Sequence, residues 1–388
     1  DTQSHPTSHT VPSTSKQFNL ARLLVEDLKA LNVDCKLDEE NCIVYAHIKK
    51  NVDKDVPTIG FIAHMDTAPD FNGSNVRPKL VRNYKGQVIT LNAEKNICLD
   101  PEVFPCLLKD IGSDLIVTDG TSLLGADDKA GVAIIMDMVE KLVTDKNILH
   151  GDIKLAFTPD EEIGEGVSHF FNADYAYTVD GGFVDEIEYE NFNASSCIVN
   201  IKGLSIHPGS AKNKMINSMH LAMEFDSLLP RHEEPSCTEG YEGFHHLEKM
   251  EGKVEKTVME YIIRDHDINL LHKKEDDFRN ICDFMNKKYG QDLVEVEIKE
   301  TYLNMKSYIE KRMEIIDRVK EKMIKIGLSP KSSAIRGGTD GAMLTYKGLL
   351  CPNLGTGGRN FHGPYEYLSV NEMRKSSELL VEIAKVDE

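Results

Sequence analysis

Apolar positions along the chain follow two different periods. In FNLARLLVEDLKALNV, Leu20, Leu23, Leu24, Leu28 and Leu31 recur at helical spacing and predict an amphipathic helix. CIVYAHI and TIGFIAHMD are short β-branched runs, and GFIA is apolar throughout, as in a central strand covered on both faces. The pattern then repeats: DLIVTDG as a strand, GVAIIMDMVEKLV as a helix, DIKLAFT as a strand running into PDEEIGEG, and YAYTVDGG as another strand. This alternation predicts an α/β fold whose mixed sheet is largely parallel. Its chemistry should gather at the carboxyl ends of the strands, where the loops converge.

From about Phe192 the texture changes. SCIVNIKG, a helix over 214–229, VMEYIIRD, a helix over 275–288 and LVEVEIKETY read as a smaller α+β insert. After IEKRMEIIDRVKEKMIKIG, the Gly-rich turns of IRGGTDGAMLTYKGLLCPNLGTGGRNFHG resemble the first part in style. The expected division is therefore residues 1–191 as the first part of one domain, 192–306 as an inserted domain, and 307–388 as the remainder of the first. The Ser/Thr/His-rich opening, about fifteen residues, reads as a mobile edge.

Composition narrows the function classes. No apolar run approaches a membrane span, and a formal charge of −19 with no basic stretch argues against nucleic acid and anionic membranes as partners. The eight cysteines are scattered and never at CxxC spacing, which fits reduced thiols in a cytoplasmic protein.

What stands out is a set of carboxylates in Gly-rich turns beside apolar segments. His64 and Asp66 end a strand with one residue between them, so both side chains can project from one side, as a ligand and its orienter would. GADDKAG places Asp127 and Asp128 at a turn before a helix, and a single capping role accounts for only one of them. Asp160, Glu161 and Glu162 are consecutive and would repel without a cation or another partner. Asp180 ends another strand, and His362 lies in a Gly-rich loop. Imidazoles with several carboxylates suit zinc, manganese or cobalt and not a thiolate structural site. If one carboxylate is shared, two metals can activate one water for hydrolysis. A further carboxylate must then serve as general base, and either Glu161 or Glu162 fits.

AHMDTAPDF, TDGTSLLGADDKAG, FTPDEEIG, YTVDGG, IRGGTDGA and TGGRNFHG together resemble the peptidase T family, tripeptide aminopeptidases of the aminoacylase/carboxypeptidase group of two-zinc metallopeptidases. The resemblance extends to stretches without obvious chemistry, such as EGYEGFHHLEKMEG and SYIEKRMEIIDRVKEKM. It implies a zinc exopeptidase of two domains: an α/β catalytic domain interrupted by a lid that commonly mediates homodimerisation. It implies two Zn2+ per subunit, with Co2+ or Mn2+ as substitutes. His64 and Asp180 would hold one ion, Glu162 and His362 the other, and Asp127 would bridge them.

The same resemblance makes Asp66 the orienter of His64 and Glu161 the base that activates a metal-bridging water. It also implies a cis peptide between Asp127 and Asp128. His207 on the lid would steady the oxyanion, and Arg264 and Arg336 would bind the carboxylate of a short peptide. Dipeptidases, carboxypeptidases and deacylases of the same group share most of these residues, so they remain alternatives, as does a non-catalytic peptide-binding protein. The resemblance departs at its start, since relatives carry a helix ahead of DTQS and a truncated sequence is expected. It departs again at Arg359, where relatives more often carry His and substrate preference is open.

Overall fold

The computed structural model describes residues 1–165 and 172–386. Contacts divide them into two units, one comprising Asp1–Tyr189, Met305–Ser333 and the chain from Thr339 on, the other Glu190–Asn304 with Ala334–Gly338.

The first unit is built on an eight-stranded sheet. Its strands are β1 (Asp34–Asp38), β2 (Ile43–Ile48), β3 (Ile59–His64), β4 (Ile153–Thr158), β5 (Tyr175–Gly181), β6 (Glu186–Asn191), β7 (Lys331–Ile335) and β8 (Asn353–Gly355). They lie in the order β1-β2-β4-β3-β5-β8-β6-β7. The centre is parallel: β3 pairs with β4 and β5, and β8 pairs with β5. Antiparallel pairs of β1 with β2, β2 with β4, and β6 with β8 flank it. Every residue of β3 is buried, which is why its run is apolar without alternation. Because β3, β4 and β5 run the same way side by side, the residues at their carboxyl ends emerge together.

Helix α1 (Gln17–Ala30) buries Ala21, Leu24 and Leu28. Helix α2 (Ala126–Thr144) covers the sheet with Ile134, Ile135, Met138, Val139 and Leu142. It rests so closely on β5 that a Cβ at Gly131 would sit 1.8 Å from the Val179 carbonyl oxygen. Its first turn is not helical at Asp127 and Asp128, and the peptide bond between them is cis.

The opening residues are not a mobile edge. Thr2, Ser4 and Ser13 are buried, and Thr2 Oγ1 donates to the Met65 carbonyl at 2.7 Å. Gln3 Nε2 donates to the carbonyls of Ala68 and Phe71 at 2.9 and 2.7 Å. Short polar side chains that read as solvated instead satisfy the loop after β3, whose carbonyls would otherwise be buried without partners.

The second unit has an antiparallel sheet in the order Phe244–Lys253, Lys256–Asp265, Asn193–Lys202 and Val294–Tyr302. Helices α3 (Ser218–Leu228) and α4 (Ile268–Tyr289) pack on it through a core that includes Val199, Phe225, Tyr261, Phe278 and Met285. Each helix differs from the stretch its sequence suggests. Residues 214–216 stay out of α3 because Ile216 bridges to Leu204 and Asn217 caps the helix through Met219 N–H. Helix α4 starts earlier than expected because Asp267 accepts from the N–H groups of Asn269 and Leu270. His245 is only 4% exposed, with its ring 6.1 Å from that of Phe278. Among the described residues no helix is long and apolar enough to cross a membrane, and all eight cysteines are free.

Candidate active site

Seven of the residues singled out in the sequence come together at the ends of β3, β4 and β5. His64 closes β3 and is 2% exposed. Its Nε2 lies 2.9 Å from Asp127 Oδ1, 3.5 Å from Asp180 Oδ1 and 4.0 Å from Glu161 Oε2. His362, in the loop after β8, points Nε2 at Asp127 Oδ2, 3.3 Å away, and at Glu162 Oε2, 3.0 Å away. Asp127 therefore presents one carboxylate oxygen to each imidazole. His362 itself has φ +65, a left-handed conformation unusual for a side chain of its size and typical of sites where aim matters more than local comfort.

Asp66 has a wider role than that of a histidine orienter. Its Oδ1 is 3.3 Å from His64 Nδ1, and its two oxygens accept the backbone N–H groups of Glu161 and Glu162 at 3.1 and 3.2 Å. Asp66 is fully buried, so these interactions are shielded from water.

Three buried acids that sequence reasoning left without a role complete the frame. Asp128 accepts from the backbone N–H groups of His64 and Gly131 at 3.1 Å each. Glu366, 1% exposed, accepts from Leu124 N at 2.6 Å, Gly125 N at 2.8 Å and Asp127 N at 3.0 Å. Asp340, at the start of helix α6 (Asp340–Tyr346; α5 is Glu314–Lys325), donates its N–H to Glu161 Oε1 at 3.3 Å and accepts from Thr158 Oγ1. Each turn is thus held by a carboxylate from another: the His362 loop anchors the Asp127 turn, that turn anchors His64, and the end of β3 anchors Glu161 and Glu162. Glu366 carries a faint sequence signal, an acid inside the alternating run YEYLS. Asn353 Oδ1 likewise accepts from Asp180 N at 3.2 Å while its Nδ2 donates to Glu188.

The charge balance of this cluster calls for cations. Asp127, Asp128, Glu161, Glu162 and Asp180 face two imidazoles, with Lys129 close by. Burial drives the Glu161 carboxyl well above its ordinary range, reinforced by the negative charges of Asp340 and Glu162. Burial also raises Glu162 and Asp180, the latter with help from Asp128 and Asp127. Burial alone would depress His64, yet Asp180, Asp127 and Asp66 raise it well above a free imidazole. His362 is pushed up to about 11 by its hydrogen bonds to Asp127 and Glu162. Burial opposes charge on Asp127, but the two imidazoles hold it well below the usual carboxylate range. Burial lowers Lys129 to about 8, against the opposing pull of Asp66, Glu366 and Asp127.

Several donor atoms within 4.8 Å, as in His64 with Asp127 and Glu162 and in His64 with Asp128 and Asp180, fit divalent ions. Glu162 Oε1 is buried without a hydrogen-bond partner, as expected of an atom reserved for a ligand. Asp128 is better described as an anchor, because backbone N–H groups already occupy both its oxygens.

His207, Arg264 and Arg336 belong to the second unit, where their contacts are local. His207 is exposed, and its Nδ1 accepts from Gly209 N at 3.2 Å. Arg264 Nη1 donates to the carbonyls of Ser195 and Ile263, and the guanidinium lies 5.2 Å from the Tyr302 ring. Arg336 donates to the carbonyls of Gly240 and Glu242 and to Thr238 Oγ1. Arg359, in the first unit, is buried with its guanidinium 3.5 Å from the Phe183 ring centre and 2.6 Å from Glu372.

A sequence profile of the family described as Peptidase family M20/M25/M40 matches residues 123–386. A protein named Peptidase T from Alkaliphilus oremlandii is 50% identical over all of this chain and 96% of its own length. A Peptidase T from Geobacillus kaustophilus is 51% identical, over 100% and 95%. Among solved structures, the aminopeptidase PepT of Bacillus cereus has the same fold, with a TM-score of 0.75 at 21% identity over 98% of this chain and 94% of that one. A Bacillus subtilis protein described as a dinuclear metal binding peptidase from M20 family has a TM-score of 0.63 at 14% identity, over 98% and 94%.

Proposed function

The chain belongs to peptidase family M20/M25/M40, and from that premise we propose that it is a metal-dependent tripeptide aminopeptidase that releases the N-terminal residue of short peptides. The observation that carries this reading is Asp127, with one oxygen toward each imidazole, and Glu161 Oε2 4.0 Å from the His64 Nε2 that one of them faces. His64 with Asp180 and His362 with Glu162 are the two ligand sets, and Asp127 is common to both. Zinc suits this donor set, with Co2+ or Mn2+ as substitutes. Two such ions would lower the pKa of a bound water and polarise the scissile carbonyl.

The protein's own residues then do the rest. Glu161 accepts the proton of the attacking water and delivers it to the leaving amine nitrogen. Its carboxylate is aimed by Asp340 N–H and its backbone by Asp66. His207, whose Nδ1 is an acceptor in the Gly209 contact, carries its proton on Nε2 when neutral and so can donate to an oxyanion. Arg264 and Arg336 are the groups for the peptide carboxylate, which would limit substrate length. Both already donate to backbone carbonyls of the second unit.

The segment 192–306 is proposed as a lid and as the surface for a homodimer, as the sequence resemblance implies. Free cysteines support a reducing, cytoplasmic setting. The test is turnover of Ala-Ala-Ala against Ala-Ala, tetra-alanine and N-acetylated tri-alanine. Preference for the blocked peptide would sink the aminopeptidase reading in favour of a deacylase or carboxypeptidase. Glu161→Gln is expected to keep its metal and lose on the order of 10²- to 10⁴-fold in kcat; near-normal turnover would remove it as base.

A further inference from the structure

We infer that Asp160 is a positioning residue for Glu161, held in that role by Ser13 and Gln17 from the chain's opening segment; the inference rests on Glu161 being the base. Asp160 is the first of three consecutive acids, yet it takes no part in the cluster of His64, Asp127 and Glu162. Its carboxylate turns elsewhere: Oδ1 accepts from Ser13 Oγ at 2.5 Å and from Gln17 Nε2 at 2.6 Å, and Oδ2 accepts from Ser13 N at 2.6 Å. The grip includes the backbone, since Asp160 N donates to Gln17 Oε1 at 3.2 Å. Asp160 is 1% exposed and Gln17 is fully buried, so water does not compete for these bonds.

This grip matters because of the backbone it fixes. Asp160 has φ +56, a left-handed conformation that few side chains other than Asn and Asp tolerate. That conformation turns the chain sharply as it leaves β4 and directs Glu161 toward His64. The turn closes through Gly164 N to the Glu161 carbonyl at 2.8 Å and Glu165 N to the Asp160 carbonyl at 3.0 Å. Asp66 holds the next two N–H groups. The general base therefore stands on a turn pinned by Asp66 and, through Asp160, by residues nearly 150 positions earlier in the chain. A shift of roughly 1 Å in such a group is enough to cost about 10²-fold in rate while the ligands stay in place.

The experiment compares Ser13→Ala, Gln17→Met and the exchanged pair Gln17→Glu with Asp160→Asn. The first two are expected to lower kcat on Ala-Ala-Ala roughly 10- to 100-fold, with KM within about twofold and bound metal per chain unchanged. The exchanged pair restores an amide opposite a carboxylate and should recover part of the loss, which a simple packing role would not produce. Hydrogen exchange on the metal-stripped protein gives a second readout: the amides of Glu161 and Glu162 should exchange faster in Gln17→Met. Wild-type kcat in both single variants, with unchanged exchange at those amides, overturns the proposal. Glu161→Gln run alongside separates the two ideas. If it loses turnover while the clamp variants keep theirs, only the clamp is wrong. If it keeps turnover, the base assignment falls, and faster exchange at Glu161 and Glu162 in Gln17→Met still upholds the clamp on the turn.

Discussion

Carboxylates in this site divide by what they accept. Asp127, Glu162 and Asp180 face imidazole nitrogens, whereas Asp66, Asp128 and Glu366 accept backbone N–H groups of the turns that carry them. The sequence marks most of these as acids in unusual turns, but the division depends on which N–H groups end up within hydrogen-bond reach, and that is a tertiary matter. Glu366 is the clearest case, since its three N–H partners lie about 240 positions away. Glu366→Gln puts an amide donor among N–H donors and is expected to weaken metal binding about 10- to 100-fold, as loss of groups that orient ligands does. Competition with a chelator measures this, and unchanged affinity would reduce Glu366 to a packing role.

At the level of elements, the alternation of strands and helices was legible because period and burial agree: β3 carries no polar side chain before its closing His64 and is buried throughout. The beginnings of helices were less legible, since α3 and α4 start at Asn217 and Asp267 caps that propensity alone did not single out. The fit of α2 on β5 could not be read at all. It depends on Gly131, where a Cβ would meet the Val179 carbonyl oxygen at 1.8 Å and Asp128 Oδ1 at 2.4 Å. Gly131→Ala must push helix and strand apart, and a loss of about 1–3 kcal/mol in urea unfolding is expected. The same shift disturbs Asp128 and with it the His64 N–H it accepts, so activity should fall together with stability. A variant as stable as the parent would show that the helix can slide at no cost.

For the molecule as a whole, protons stand where cations would. His362 is raised to about 11 by Asp127 and Glu162, and His64 is raised as well. In the metal-free protein this contribution to stability is complete below the unfolded imidazole pKa of about 6.5 and is lost as pH climbs toward about 11. Metal binding requires neutral imidazoles and ionised carboxylates, so uptake near neutral pH should release protons, and apparent affinity should rise with pH. Titration calorimetry in buffers of different ionisation enthalpy reads the proton count, and zero release would contradict the charge balance. Bound metal should also raise Tm, and a chelator should lower it. By itself the sequence determined the α/β class, the strand ends that carry the chemistry and the identity of the acidic and histidine residues, because periodicity and residue type are local properties. Only the tertiary structure decided that Asp127 faces both imidazoles, that Asp160 turns away to Ser13 and Gln17, and that Glu366 anchors a turn. Those outcomes depend on distances between segments far apart in the chain, which hydrophobic pattern does not encode.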